Sequence, residues 1–173
     1  MIGYKLFNVK NGKLYALYVY ANEEIPQGVW LEAKNGPLIE KSNGSVKVKS
    51  KLGELAYRPG WHSSFFPVAR HIGEKENPHD SFPSYRPSYQ VWTEVEISDK
   101  INYQELADKQ GKSRNKKFLK FIPKNGFYLY KTNPNMIGEW IISGAIKINK
   151  ILSDEEVYQI NSQTGVHDLP RRK

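Results

Sequence analysis

The chain has 173 residues, 39% apolar and 25% charged, with 11 Tyr, 4 Trp and 7 Phe. That is a globular mix of single-domain size, not a disordered tail. It has no cysteine, which excludes disulfides, thiolate zinc sites, iron–sulfur clusters and cysteine nucleophiles. No apolar run approaches the roughly 18 residues of a membrane helix. Met1 to Val9 lack a basic segment followed by an apolar one, so no secretory signal and a cytoplasmic location are expected. The net charge of +8 is concentrated. Lys109, Lys112, Arg114, Lys116, Lys117, Lys120 and Lys124 fall in one acid-free window, and Arg171, Arg172 and Lys173 follow at the C-terminus. The remainder is slightly acidic, unlike a uniformly cationic coat for DNA.

Taken in chain order, residues 4–20 read as a β-hairpin turning at Asn11-Gly12, a pair suited to a type I′ turn. Residues 28–33 read as a short strand, and 34–45 are turn-rich. Val46 and Val48 alternate with Lys47 and Lys49, which predicts an exposed edge strand. Pro59, Pro67, Pro78, Pro83 and Pro87 make residues 57–90 irregular and argue against a central strand there. Val91 to Ile97 alternates cleanly and reads as a strand.

Short helices are expected over 103–109 and, in the basic window, 113–121. Residues 127–131 read as a strand, and 139–150 as a long one interrupted near Ser143-Gly144. Ser153 and Glu156 form a capping box for a final helix ending near Gly165. The expected fold class is α+β: one strand-dominated mixed domain over 1–168, with a basic tail at 169–173.

Chemistry concentrates first in Tyr57-Arg58-Pro59-Gly60-Trp61-His62-Ser63-Ser64. Arg58 offers a planar fork for phosphate or carboxylate. His62 is a candidate acid or base near neutral pH. Tyr57 and Trp61 offer stacking surfaces. The plainer reading is a tight turn in which aromatics fill the core and the imidazole satisfies a backbone carbonyl. The loop from Asn133 through Asn135 delivers Glu139 to a strand start, where a carboxylate can accept from a ribose hydroxyl or stabilise a developing cation. Its alternative is an ordinary surface Glu.

Glu94 and Glu96 share a strand face about 7 Å apart. A solvated face explains them better than a glycosidase pair. The four histidines match no metal spacing, so no metal is expected. The basic stretch, represented by Lys112, Arg114, Lys116, Lys117, Lys120 and Lys124, fits a polyanion such as RNA or DNA, or a solubilising surface.

The strings Lys5-Leu6-Phe7, Gly28-Val29-Trp30-Leu31-Glu32-Ala33, Tyr57-Arg58-Pro59-Gly60-Trp61-His62, Val91-Trp92-Thr93-Glu94-Val95-Glu96 and Gly138-Glu139-Trp140-Ile141-Ile142 together resemble small proteins of bacteriophages and integrated mobile elements, a family with no assigned activity. The resemblance implies an accessory protein acting in the bacterial cytoplasm. Arg58 or His62, followed by Glu139, is also similar to the order of functional residues in ADP-ribosyltransferase-like domains. That likeness implies NAD as cofactor and Glu139 and His62 as catalytic residues.

Three functions are therefore weighed. The leading expectation is a counter-defence protein that binds a nucleotide or a nucleic-acid-containing host target without catalysis and without a cofactor. Its ligand contacts would be Tyr57, Arg58, Trp61, Asn133 and Asn135. The alternatives are an ADP-ribosyltransferase-like enzyme and a virion or conjugation assembly protein. No membrane partner is expected.

Overall fold

Asn11 and Gly12 take φ values of 52° and 75°, the type I′ geometry that the Asn-Gly pair favours. They join β1 (Ile2–Lys10) to β2 (Lys13–Tyr15), with Asn8 opposite Tyr15. The second arm is shorter than expected, because Ala16 to Tyr20 leave the sheet. A computed structural model describes residues 1–110, 118–132 and 138–172.

Next come β3 (Glu24–Ile25) and β4 (Trp30–Glu32). A separate three-stranded sheet follows, built from β5 (Leu38–Glu40), β6 (Val46–Ser50) and β7 (Gly53–Ala56). Here β6 is the middle strand and not the expected edge. Its alternation arises because Val48 is buried while Lys49 reaches solvent. The chain continues through β8 (Trp61–Ser64), β9 (Gln90–Ile97), β10 (Ile101–Asn102), α1 (Gln104–Gln110), β11 (Gly126–Tyr130), β12 (Trp140–Ser143), β13 (Ala145–Ile151) and α2 (Asp154–Ser162). The domain is mixed α+β and dominated by strands.

The main sheet runs β10-β11-β12-β8-β1-β9-β13-β4, with β2 and β3 attached to β1. β8 sits inside it, between β1 and β12, against the expectation for the proline-rich segment. Pro59 and Pro67 flank this four-residue strand, so the ladder loses no donor. The break foreseen near Gly144 is a change of place in the sheet. β12 and β13 lie four strand positions apart in the pairing order, about 19 Å in a flat sheet. Yet Gly144 alone separates them, and two residue steps span at most about 7 Å. The sheet must therefore curl back on itself. The Trp61 indole confirms this by donating to the Leu31 carbonyl at 2.9 Å, from β8 to the far edge strand β4. At the bend, a Cβ on residue 144 would lie 2.4 Å from the Pro123 carbonyl oxygen, so only glycine fits.

The inner face of the curl holds Phe7, Leu14, Val95, Ile97, Ile141, Ile146 and Ile148. Each fully buried side chain of this size contributes about 1.5–3 kcal/mol. On the outer face, Leu6 and Trp92 pack with Ala69 and Leu152, and α2 adds Val157 and Ile160. α2 starts at the expected capping box, with both Ser153 and Glu156 bonds present. Tyr128, Tyr130 and Ile142 pack with α1 through Ala107. The expected helix over 113–121 is not seen where it is described. Phe118 to Phe121 are not helical, and the Leu119 amide donates to the Tyr128 hydroxyl at 3.1 Å.

Residues 169–172, read from the sequence as a tail, are packed into the domain. Leu169 is buried, and the Arg171 guanidinium donates to the carbonyls of Pro87 and Gln90 at 2.6 and 2.8 Å. Beside them, Arg86 and Asp168 form a buried bidentate pair at 3.1 and 2.8 Å. Arg86 also donates to the carbonyls of Ile72 and Ala69 and to Gln90. Asp168 also accepts from the Trp92 indole and the Ala69 amide. This network fastens the irregular segment and the C-terminus to the outer face of the sheet.

Candidate functional site

β1 is paired with β9 from Ile2 to Asn8. Its other edge is shared: β8 meets it at Tyr4, and β2 meets it only from Asn8 onward. Among the described residues, Lys5, Leu6 and Phe7 have no strand partner on that edge. A cavity of about 860 Å³ opens at this split. The three-stranded sheet forms another part of its wall, through Val48, Leu55 and Ala56. The size falls in the range of small-molecule sites. All four tryptophans of the chain (Trp30, Trp61, Trp92 and Trp140) line it.

Tyr57, Arg58, Trp61 and His62 all reach this cavity. The segment between Ala56 and Trp61 leads from the small sheet into β8, which explains the convergence of these neighbours. The Tyr57 hydroxyl lies 3.3 Å from Asn35 Oδ1, and the Arg58 guanidinium lies 5.1 Å from the Tyr130 ring centroid. His62 packs edge-on to Trp140 at 6.2 Å, and His71 does so at 5.6 Å.

His62 Nδ1 sits 3.2 Å from the Gly60 carbonyl oxygen. Burial, reinforced by the positive fields of Lys5 and Arg58, drives its pKa down to about 3. The ring is neutral at physiological pH, so Nδ1 carries the proton donated to Gly60 and Nε2 is left as an acceptor. This is the carbonyl-satisfying geometry, and it does not suit a group that must gain and lose a proton near neutrality.

Glu139 is half-buried and immediately precedes β12. It is absent from the cavity wall, where Trp140 and Thr132 stand instead. The arrangement of Arg58, His62 and Glu139 that NAD chemistry would require is thus brought together only in its first two members. Asn133, Asn135, Lys112, Arg114, Lys116 and Lys117 lie outside the described residues. Lys120 and Lys124 are exposed and are not part of the cavity. Glu94 accepts from the Asn149 side chain at 3.1 Å, also away from the cavity. Among the described residues, no cluster of His, Asp and Glu could hold a metal ion, and no helix is long and apolar enough to cross a membrane.

Lys5 is the site residue that sequence reasoning missed. It lines the cavity, and its ammonium donates to the His62 carbonyl at 2.7 Å. The rings of Trp61 and Phe7 lie 5.6 and 5.7 Å from it. Burial pushes its pKa down to about 8. Comparison with known proteins finds no matching family, no matching curated protein and no matching solved structure.

Proposed function

We propose that the protein is a binding module that holds a nucleotide in the cavity at the split in the sheet and releases it unchanged. The observation that carries this reading is the convergence of the four tryptophans with two cations, Lys5 and Arg58, on one cavity. Aromatic faces suit a base, and cations suit phosphate oxygens. The neutral Nε2 of His62 is an acceptor suited to a ribose hydroxyl. Non-catalytic capture is favoured because His62 does not titrate near neutrality and Glu139 stands apart. In the phage setting implied by the resemblance, such a module would sequester a nucleotide signal of the host.

The test is calorimetry with NAD, ADP-ribose, AMP and cyclic di- and trinucleotides, followed by chromatography of each mixture. Binding with the ligand recovered intact, weakened tenfold or more in Arg58→Gln, is the expected result. Conversion of the ligand, or silence across the panel, overturns the reading.

A further inference from the structure

Lys5 carries a cation into the interior of the curl with no counter-ion among the described residues. An ammonium has three donors. The bond to the His62 carbonyl uses one of them. None of the ion pairs among the described residues includes Lys5. Burying a charge this way is costly unless something compensates it. The Phe7 and Trp61 rings lie near it, and it lines the cavity.

We propose that Lys5 is the anchor for a phosphate group of the cavity's ligand, which enters as the missing counter-ion. This rests on the reading of the cavity as a nucleotide site and names the group that reaches deepest into it. The other charges around the cavity fit. Glu23 is paired with Lys34 at 2.7 Å and Glu24 with Lys13 at 3.4 Å. Glu32, at the β4 edge, is the remaining carboxylate on the wall, against Lys5 and Arg58. His62 is neutral, the pKa of His71 is lowered, and those of Tyr4 and Tyr18 are raised. Of the wall groups whose pKa is displaced, Lys5 is therefore the one brought into the range between pH 7.5 and 9.5.

The experiment measures AMP, adenosine and ribose 5-phosphate binding by tryptophan fluorescence and calorimetry. It uses wild type and Lys5→Met at pH 7.5 and 9.5. The expected result is AMP binding at least tenfold tighter than adenosine at pH 7.5. That advantage should shrink below threefold at pH 9.5 in wild type and at both pH values in Lys5→Met. The wild-type pH dependence stands as the test if the variant does not fold. Equal affinity for AMP and adenosine overturns the anchor while leaving the nucleotide reading intact. An advantage that persists in Lys5→Met, or that ignores pH, places the phosphate elsewhere and also overturns it. Binding of ribose 5-phosphate alone, with the same pH dependence, upholds the anchor and sinks the nucleotide reading. No binding of any of the three overturns the anchor, and silence across the full nucleotide panel overturns both.

Discussion

Replacing Lys5 by Met is expected to stabilise the ligand-free protein at neutral pH. Methionine matches the length and flexibility of the lysine stem and carries no charge. Burial lowers the Lys5 pKa from 10.5 to about 8. At about 1.4 kcal/mol per unit, the folded state bears a penalty of about 3 kcal/mol for holding the ammonium. The variant loses the bond to the His62 carbonyl, worth about 1 kcal/mol. The net gain at pH 7 is about 2 kcal/mol.

The sign with pH follows from linkage. Between about pH 8 and 10.5 the unfolded chain binds the lysine proton and the folded chain does not, so wild-type stability rises with pH relative to the variant. The advantage of Lys5→Met should therefore shrink by about 3 kcal/mol across that window and reverse near its upper end. Urea denaturation of both proteins from pH 7 to 10.5 reads the difference directly, and the tyrosines common to both cancel. A difference that stays flat with pH would refute the reasoning, because Lys5 would then titrate as a solvated lysine does.

Asp168→Ala leaves the buried Arg86 guanidinium without its carboxylate and is expected to cost about 3–5 kcal/mol in urea denaturation. A loss below about 1 kcal/mol would show that the network is not fastening the C-terminus. Gly144→Ala forces a methyl group against the Pro123 carbonyl at the bend. It should cost 2 kcal/mol or more, or yield no folded protein, whereas Gly12→Ala, with open space around it but a positive φ, should cost about 1 kcal/mol. Near-equal losses for the two would argue against closure at Gly144. Ser153→Ala removes the α2 cap and should cost about 1 kcal/mol, with Ser153→Asp retaining most of the stability.

Local chemistry was legible in the residues themselves. Asn11-Gly12 set a turn through its tolerance of positive φ, Val91 to Ile97 set a strand by alternation, and Ser153 with Glu156 set a helix start. Tyr57 to His62 could be recognised as a cluster because its members are neighbours along the chain. β8 was hidden because prolines on both sides read as disruption, although they lie outside the ladder. Arg86 and Asp168 are 82 positions apart, and no local pattern connects them.

Lys5 shows the division most clearly. In sequence it is one lysine between Tyr4 and Leu6 in a strand, indistinguishable from a lysine in water. Only the curl of the sheet, forced by a one-residue step at Gly144, turned that face inward. The missing strand partner beside Lys5 then opened the cavity onto its ammonium. Periodicity fixes which residues share a face, but closure of the sheet over long-range contacts decides which face is the interior, and with it which charge is left without a partner.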